Sequence, residues 1–337
     1  MSAVIQTNPT IAPLDMHATT VSLRPRFEGS NICTWIGFKH VMYLVEEAVL
    51  DHFRQHDLIP RALYEDHGLC VEIVDSSVRI LHALHMDDQV EVRVKPVTKA
   101  GDKEISLSVA LFVERDGKEI KALTGKVVVL IRHDDSVITG AAHVNTEHPL
   151  AAFSAPKILR ANDTVVASDF STSREPGPID PRVLAALGAD QTNSFVWKWH
   201  VPYFYCHYND RMQHSGYLRL MEEAKDLFVA SRGISIRTLL EDNKWIPVVP
   251  TARVEILDEA RMEDTLYTVF TVEEIFKDTT YRSRLDFYVE RNGSLVKTAT
   301  GSIVHGYAVI ENRKDWTLVQ FDARTVAAIL GQPQAQA

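Results

Sequence analysis

Residues 113–125 read VERDGKEIKALTG, and residues 289–301 read VERNGSLVKTATG. The two stretches lie 176 positions apart (289 − 113), and each sets a turn step, Asp116-Gly117 or Asn292-Gly293, between two runs of strand-forming residues. Asp-Gly and Asn-Gly in that setting are the strongest short signals of a β-hairpin, because the tight turn needs residues that tolerate positive φ. The same offset then holds along the chain without a gap. Glu46, Glu47 and Ala48 fall on Glu222, Glu223 and Ala224; Val78, Ile80 and Leu81 fall on Val254, Ile256 and Leu257; Met86 and Asp88 fall on Met262 and Asp264. A register that survives a helix, several strands and a hairpin predicts two copies of one unit. With only two copies and so long a period, the expectation is a fused pseudo-dimer rather than a solenoid.

Each unit reads as a short strand, a loop, one long helix and then several strands. In the first, Phe38, Val41, Met42, Val45, Ala48, Val49 and Phe53 recur at helical spacing. The strand runs that follow, joined by tight turns, predict an antiparallel sheet. The expected organisation is a flexible arm over 1–20, a first unit over 21–134, a linker over 135–194, a second unit over 195–310 and a tail over 311–337. The linker is rich in small and polar residues, with a short helix expected near 181–187; a final helix is expected over 322–330.

Composition sets the outer bounds. A chain of 337 residues matches a length prior of about two domains, in agreement with the repeat. The net charge of −9 argues against nucleic acid or an anionic membrane as the main partner. Three cysteines (Cys33, Cys70, Cys206) cannot form a disulfide framework, which points to a reducing cytoplasm. No secretory signal and no apolar run of membrane-spanning length is apparent. Assembly into a homo-oligomer is left open.

A long apolar helix followed by an antiparallel sheet resembles the hot-dog fold, an α+β architecture in which the sheet wraps the helix and so makes it apolar on more than one side. Two such units in one chain resemble the tandem hot-dog proteins. The segment QHSGYLRLMEEAKDLF at 213–228 resembles the helix start of the 4-hydroxybenzoyl-CoA thioesterase superfamily. The resemblance implies an acyl-CoA or acyl-carrier-protein thioester as substrate, no cofactor, and a pocket between paired units near each helix N-terminus. Free backbone N–H groups there can hold a developing oxyanion while a carboxylate activates water or attacks directly.

This sequence departs from the family pattern at its best-known position. The aspartate expected ten residues before Tyr217 is His207, and its counterpart in the first unit is Asn31. The catalytic candidates are therefore Asp210 and Glu222 in the second unit, His207 and His214 beside them, and Glu46 in the first unit. Asp210 could equally cap the helix. Glu46 follows Met42 and precedes Val49, Leu50 and Phe53 on an apolar stripe, where desolvation would raise its pKa unless it is paired. Candidates for substrate contact are Asn31, Thr34, His40 and Asn209. Because His207 and Asp210 face Asn31 and Thr34 across the repeat, a single working site at the second unit's helix start is expected. No metal site is expected: His52 and His56 have a suitable i,i+4 spacing but no evident third ligand, and His82 and His85 match Asp258 and Arg261 in the other unit. Thioester hydrolysis is the leading reading. A hydratase or dehydratase, an acyltransferase, and a non-catalytic acyl binder remain beside it.

Overall fold

The computed structural model describes residues 16–134, 147–161, 164–166, 178–189, 191–208 and 210–332. The first half runs β1 (Thr19–Leu23), a 3-10 turn (Phe27–Gly29), α1 (Phe38–Arg54), α2 (Pro60–His67), β2 (Leu69–Ile80), β3 (Val90–Pro96), β4 (Ile105–Arg115) and β5 (Lys118–His133). The connecting segment contributes β6 (Ser154–Ala155), β7 (Thr164–Val166) and α3 (Pro181–Ala186). The second half runs β8 (Ser194–His200), a 3-10 turn (Tyr203–Tyr205), β9 (Cys206–His207), β10 (Arg211–Met212), α4 (His214–Ser231), α5 (Ile236–Asn243), β11 (Trp245–Ile256), β12 (Thr265–Phe276), β13 (Thr280–Arg291) and β14 (Ser294–Glu311). β15 (Asp315–Leu318) and α6 (Ala323–Leu330) close the chain.

The strands pair in the order β1-β3-β4-β5-β2-β11-β14-β13-β12-β8, antiparallel throughout this path. The two halves meet at β2 and β11, where Ser77 lies opposite Arg253, its own counterpart at the 176 offset. The flanking pairs, Ser76 with Val254 and Val78 with Ala252, exchange under the same offset. Such self-matching is what an isologous contact between equivalent strands requires. Both hairpins are present, with Asp116 and Gly117 at φ 51° and 71° and Asn292 and Gly293 at φ 52° and 75°, the left-handed pair a type I′ turn demands.

The helices explain the core. Every residue of the α1 apolar pattern is buried, with Ala48, Val49 and Phe53 wholly so. Glycines let helix and sheet approach: a Cβ on Gly301 would lie 2.9 Å from the Met221 methyl of α4. The short helices carry the expected punctuation. Pro60 opens α2 and Gly68 closes it in the left-handed conformation, while the Asp322 carboxylate accepts from Thr325 N at the start of α6.

Two strand starts differ from the sequence reading. β1 begins at Thr19, inside the expected arm, because the Thr19 hydroxyl packs inward onto His52 Nδ1 at 2.6 Å. β8 begins at Ser194, inside the expected linker. The linker is also stitched to the sheet: β6 runs parallel to β5 and β7 pairs with β14, and Arg160 forms ion pairs with Glu104 of the first half and Glu255 of the second. Among the described residues no helix is long and apolar enough to cross a membrane.

Candidate functional site

Each long helix aims a glutamate at the start of the other, and the two helix starts have become chemically different. At the start of α4, His214 Nδ1 donates to Glu46 Oε2 of α1 at 2.9 Å. A neutral ring then has Nε2 free to accept from the Ser76 hydroxyl of β2 at 2.7 Å. Just behind, Glu72 of β2 is held by His207 Nε2 at 2.9 Å and by the Arg211 guanidinium at 3.0 Å. Burial alone would raise the Glu72 pKa, but His207 and Arg211 prevail and bring it down to about 2. This space is filled by side chains. Glu72, Ser76 and Arg211 occupy positions whose counterparts at the 176 offset are Val248, Ala252 and Trp35.

The start of α1 is the opposite case. The loop 31–37 is pinned by backbone bonds from Asn31 N to Trp35 O, Ile36 N to Leu84 O and Gly37 N to Gly29 O. The Gly37 carbonyl then accepts from His40 N and Val41 N to begin the helix. A Cβ on Gly37 would meet the Asn31 amide at 2.7 Å, so glycine is what lets that side chain fold over the helix start. The N–H groups of Phe38 and Lys39 precede the first intrahelical acceptor and carry the positive end of the helix dipole. Beside this helix start is a cavity of about 800 Å³ whose walls include Asn31, Gly37, Phe38 and, from α4, Glu222. Lys39 Nζ lies 2.6 Å from Glu222 Oε2. The rest of the wall is largely branched aliphatic and aromatic, and Trp316 of β15 packs edge-on against Trp35 at 5.4 Å between ring centres.

Of the residues singled out in the sequence, the structure brings Glu222 and Asn31 to the cavity and gathers Glu46, His207 and His214 into the packed cluster at α4. Among the described residues Asp210 forms no ion pair with either. Its carbonyl accepts from Met262 N, and the residue at the α4 N-cap is Gln213, without a side-chain cap bond, so Asp210 does not cap the helix. Thr34 Oγ1 bonds His85 Nδ1 at 3.2 Å on the exposed side of the loop. His40 is buried against Tyr43 and Gly29, and burial lowers its pKa. Asn209 lies outside the described residues. Two of the three thiols are poor nucleophiles: burial pushes Cys70 up to about 12 and Cys206 up to about 11. Among the described residues no group of three or more His, Cys, Asp or Glu is arranged to hold a metal.

Sequence reasoning passed over Ser76, Glu72, Arg211 and Lys39. The signal was present: at the 176 offset, Glu72 and Ser76 are polar residues at strand positions where the other copy has Val248 and Ala252. A charge where the twin is apolar marks a site that has specialised or been filled.

No protein-family model matches the chain, and no curated protein does. Solved structures do. An oleoyl thioesterase (putative) from Lactobacillus plantarum superposes with a TM-score of 0.55 at 11% identity, over 88% of this chain and 99% of that one. The 12:0-ACP thioesterase from Umbellularia californica gives 0.55 at 10% identity, over 91% and 100%. An acyl-ACP thioesterase from Bacteroides thetaiotaomicron VPI-5482 gives 0.52 at 11%, over 86% and 97%. At such identities the likeness is one of fold: the chain has the hot-dog fold of these thioesterases, α+β with a large antiparallel sheet.

Proposed function

We propose that the chain is an acyl-thioester hydrolase made of two hot-dog units fused as a pseudo-dimer, with its working site at the start of α1. The observation that carries this reading is the coincidence, in one place, of an apolar cavity of about 800 Å³, a helix N-terminus and the Glu222 carboxylate of the facing helix. The acyl group of an acyl-CoA or acyl-carrier-protein thioester would lie in the cavity. Its carbonyl oxygen would accept from the Phe38 and Lys39 N–H groups. Glu222 would take a proton from water as the resulting hydroxide adds to the carbonyl carbon. The tetrahedral oxyanion would be held by the same two amides, beside a largely apolar wall where such donors are most effective. Collapse breaks the C–S bond, and the proton returns from Glu222 to the departing thiolate, leaving a carboxylic acid and a thiol. Lys39 orients the carboxylate through its ion pair, and Asn31 can hold the water or the carbonyl.

This reading puts the site at the first unit's helix start, where the sequence had favoured the second; its support is the convergence of Glu72, His207 and Arg211 behind the start of α4. A second reading, an acyl-ligand binder, draws support from the Lys39–Glu222 pair, which occupies the carboxylate, and from Phe38 standing where the other unit has His214. Thiol release across acyl-CoAs of varied length and aromaticity separates the two. Turnover abolished by Glu222→Gln and retained in Asp210→Asn supports hydrolysis at α1. Absence of release from every substrate, with acyl-CoA still raising the melting temperature, supports the binder.

A further inference from the structure

The interior of the second half is polar where that of the first is not. Beneath and on α4, six buried positions are Lys225, Thr268, Tyr281, Ser283, His305 and Tyr307, each no more than 4% exposed. Their counterparts at the 176 offset are Val49, Val92, Ile105, Leu107, Val129 and Ile131, all fully buried. The fold therefore accepts an aliphatic core at these positions, and the polar set is not a requirement of packing.

These groups are incompletely satisfied. Ser283 Oγ meets His305 Nε2 at 3.1 Å, but His305 Nδ1 and Thr268 Oγ1 have no hydrogen-bond partner among the described residues. The Tyr281 and Tyr307 hydroxyls likewise have no hydrogen-bond partner among the described residues. Lys225 Nζ bonds the Asp226 carboxylate, which leaves further N–H donors on a buried ammonium. Buried polar atoms without partners are rare enough to call for an occupant, either water or a ligand atom. The cluster reaches the cavity through Lys225 and Asp226, which line it.

We propose that Lys225 and Asp226, one helix turn beyond Glu222, form an oxygen-binding subsite of the cavity that selects a long acyl group bearing a hydroxyl within several carbons of its thioester. This rests on the acyl-thioester reading of the cavity. The size argues for a long group, since about 800 Å³ at roughly 30 Å³ per heavy atom, the share of a water in its liquid, holds about 27 atoms. The charge argues for a neutral oxygen. Lys225 is already matched by Asp226 and Glu222 by Lys39, so a ligand carboxylate would bring an unmatched negative charge beside two others. A hydroxyl can accept from Lys225 and donate to Asp226.

Calorimetric titration of the full chain with stearamide and a positional series of hydroxystearamides, which carry no carboxylate, tests the subsite without requiring turnover. The expected result is a Kd about tenfold lower, or better, for at least one hydroxylated isomer, as a hydrogen-bonding site rejects the analogue that leaves it unpaired. Lys225→Met should erase that preference, and Asp226→Asn, at a half-exposed side chain that spares the core, should reduce it. Equal affinity at every hydroxyl position, as a water-filled cluster would give, overturns the proposal, as does binding of none of these amides, or a preference that survives both variants. Hydroxyl preference without thiol release from any acyl-CoA would keep the subsite and sink hydrolysis; release without preference would do the reverse.

Discussion

Replacing Glu222 by glutamine removes a charge while keeping nearly the same volume, so it separates chemistry from packing. The Lys39 and Glu222 side chains are 22% and 27% exposed, which places the pair near the solvent-screened end of the range. An ion pair of that kind is worth about 1 kcal/mol or less, so the fold should survive with a melting-temperature change of only a few degrees. The rate should respond far more strongly. Loss of a general base costs roughly 10²- to 10⁴-fold, or about 3–5 kcal/mol of transition-state stabilisation at 1.36 kcal/mol per decade. Thiol release followed with a chromogenic reagent reads both kcat and KM. The loss should fall on kcat, because the acyl group is held by the apolar wall and not by the carboxylate. A Glu222→Gln enzyme within tenfold of wild type would refute the assignment. If Glu46→Gln instead abolished turnover, the chemistry would belong to the α4 start.

Three further outcomes test the surrounding structure. His214→Phe, which installs the residue of the equivalent α1 position, should leave thiol release unchanged while lowering stability by about 1–3 kcal/mol in denaturant titration, since Glu46 and Ser76 lose their shared partner; loss of turnover would mean the cluster is catalytic. The Glu72 carboxylate, depressed from 4.5 to about 2, contributes stability that is present above its unfolded pKa and lost as pH falls from about 4.5 toward 2. On the order of 3 kcal/mol should disappear over that window in pH-dependent unfolding, and Glu72→Gln should lack that part of the acid limb. Phe53→Ala, at a fully buried site where α1 meets the sheet, should cost about 3–5 kcal/mol by denaturant unfolding, and a cost below 1 kcal/mol would contradict the packing described.

Much of the architecture is local information and was legible as such. Asp116-Gly117 and Asn292-Gly293 specify their turns through positive φ, the spacing from Phe38 to Phe53 specifies α1, and Asp322 and Gly331 bracket α6. The 176-residue register predicted which elements would recur, and helices, strands and even the 3-10 turns at Phe27–Gly29 and Tyr203–Tyr205 coincide under it. Glu46 stood out because a carboxylate on an apolar stripe needs a partner. Its partner could not be named, since His214 is 168 positions away and Ser76 lies a further 138 from His214.

What only the tertiary structure decided is which helix start stays open. Periodicity reports the face a side chain takes, whereas a cavity is the volume left over when side chains from many elements have met. At α4 that volume is taken by Glu72, His207 and Arg211 converging from β2, β9 and β10; at α1 the equivalent positions are Val248, Asn31 and Trp35, and the space remains. The sequence by itself determined the repeat, the helices and the turns, because each is set by neighbours within a few residues. The tertiary structure alone determined the pairing of charges and the placing of the void, because both depend on distances between residues that the chain keeps far apart.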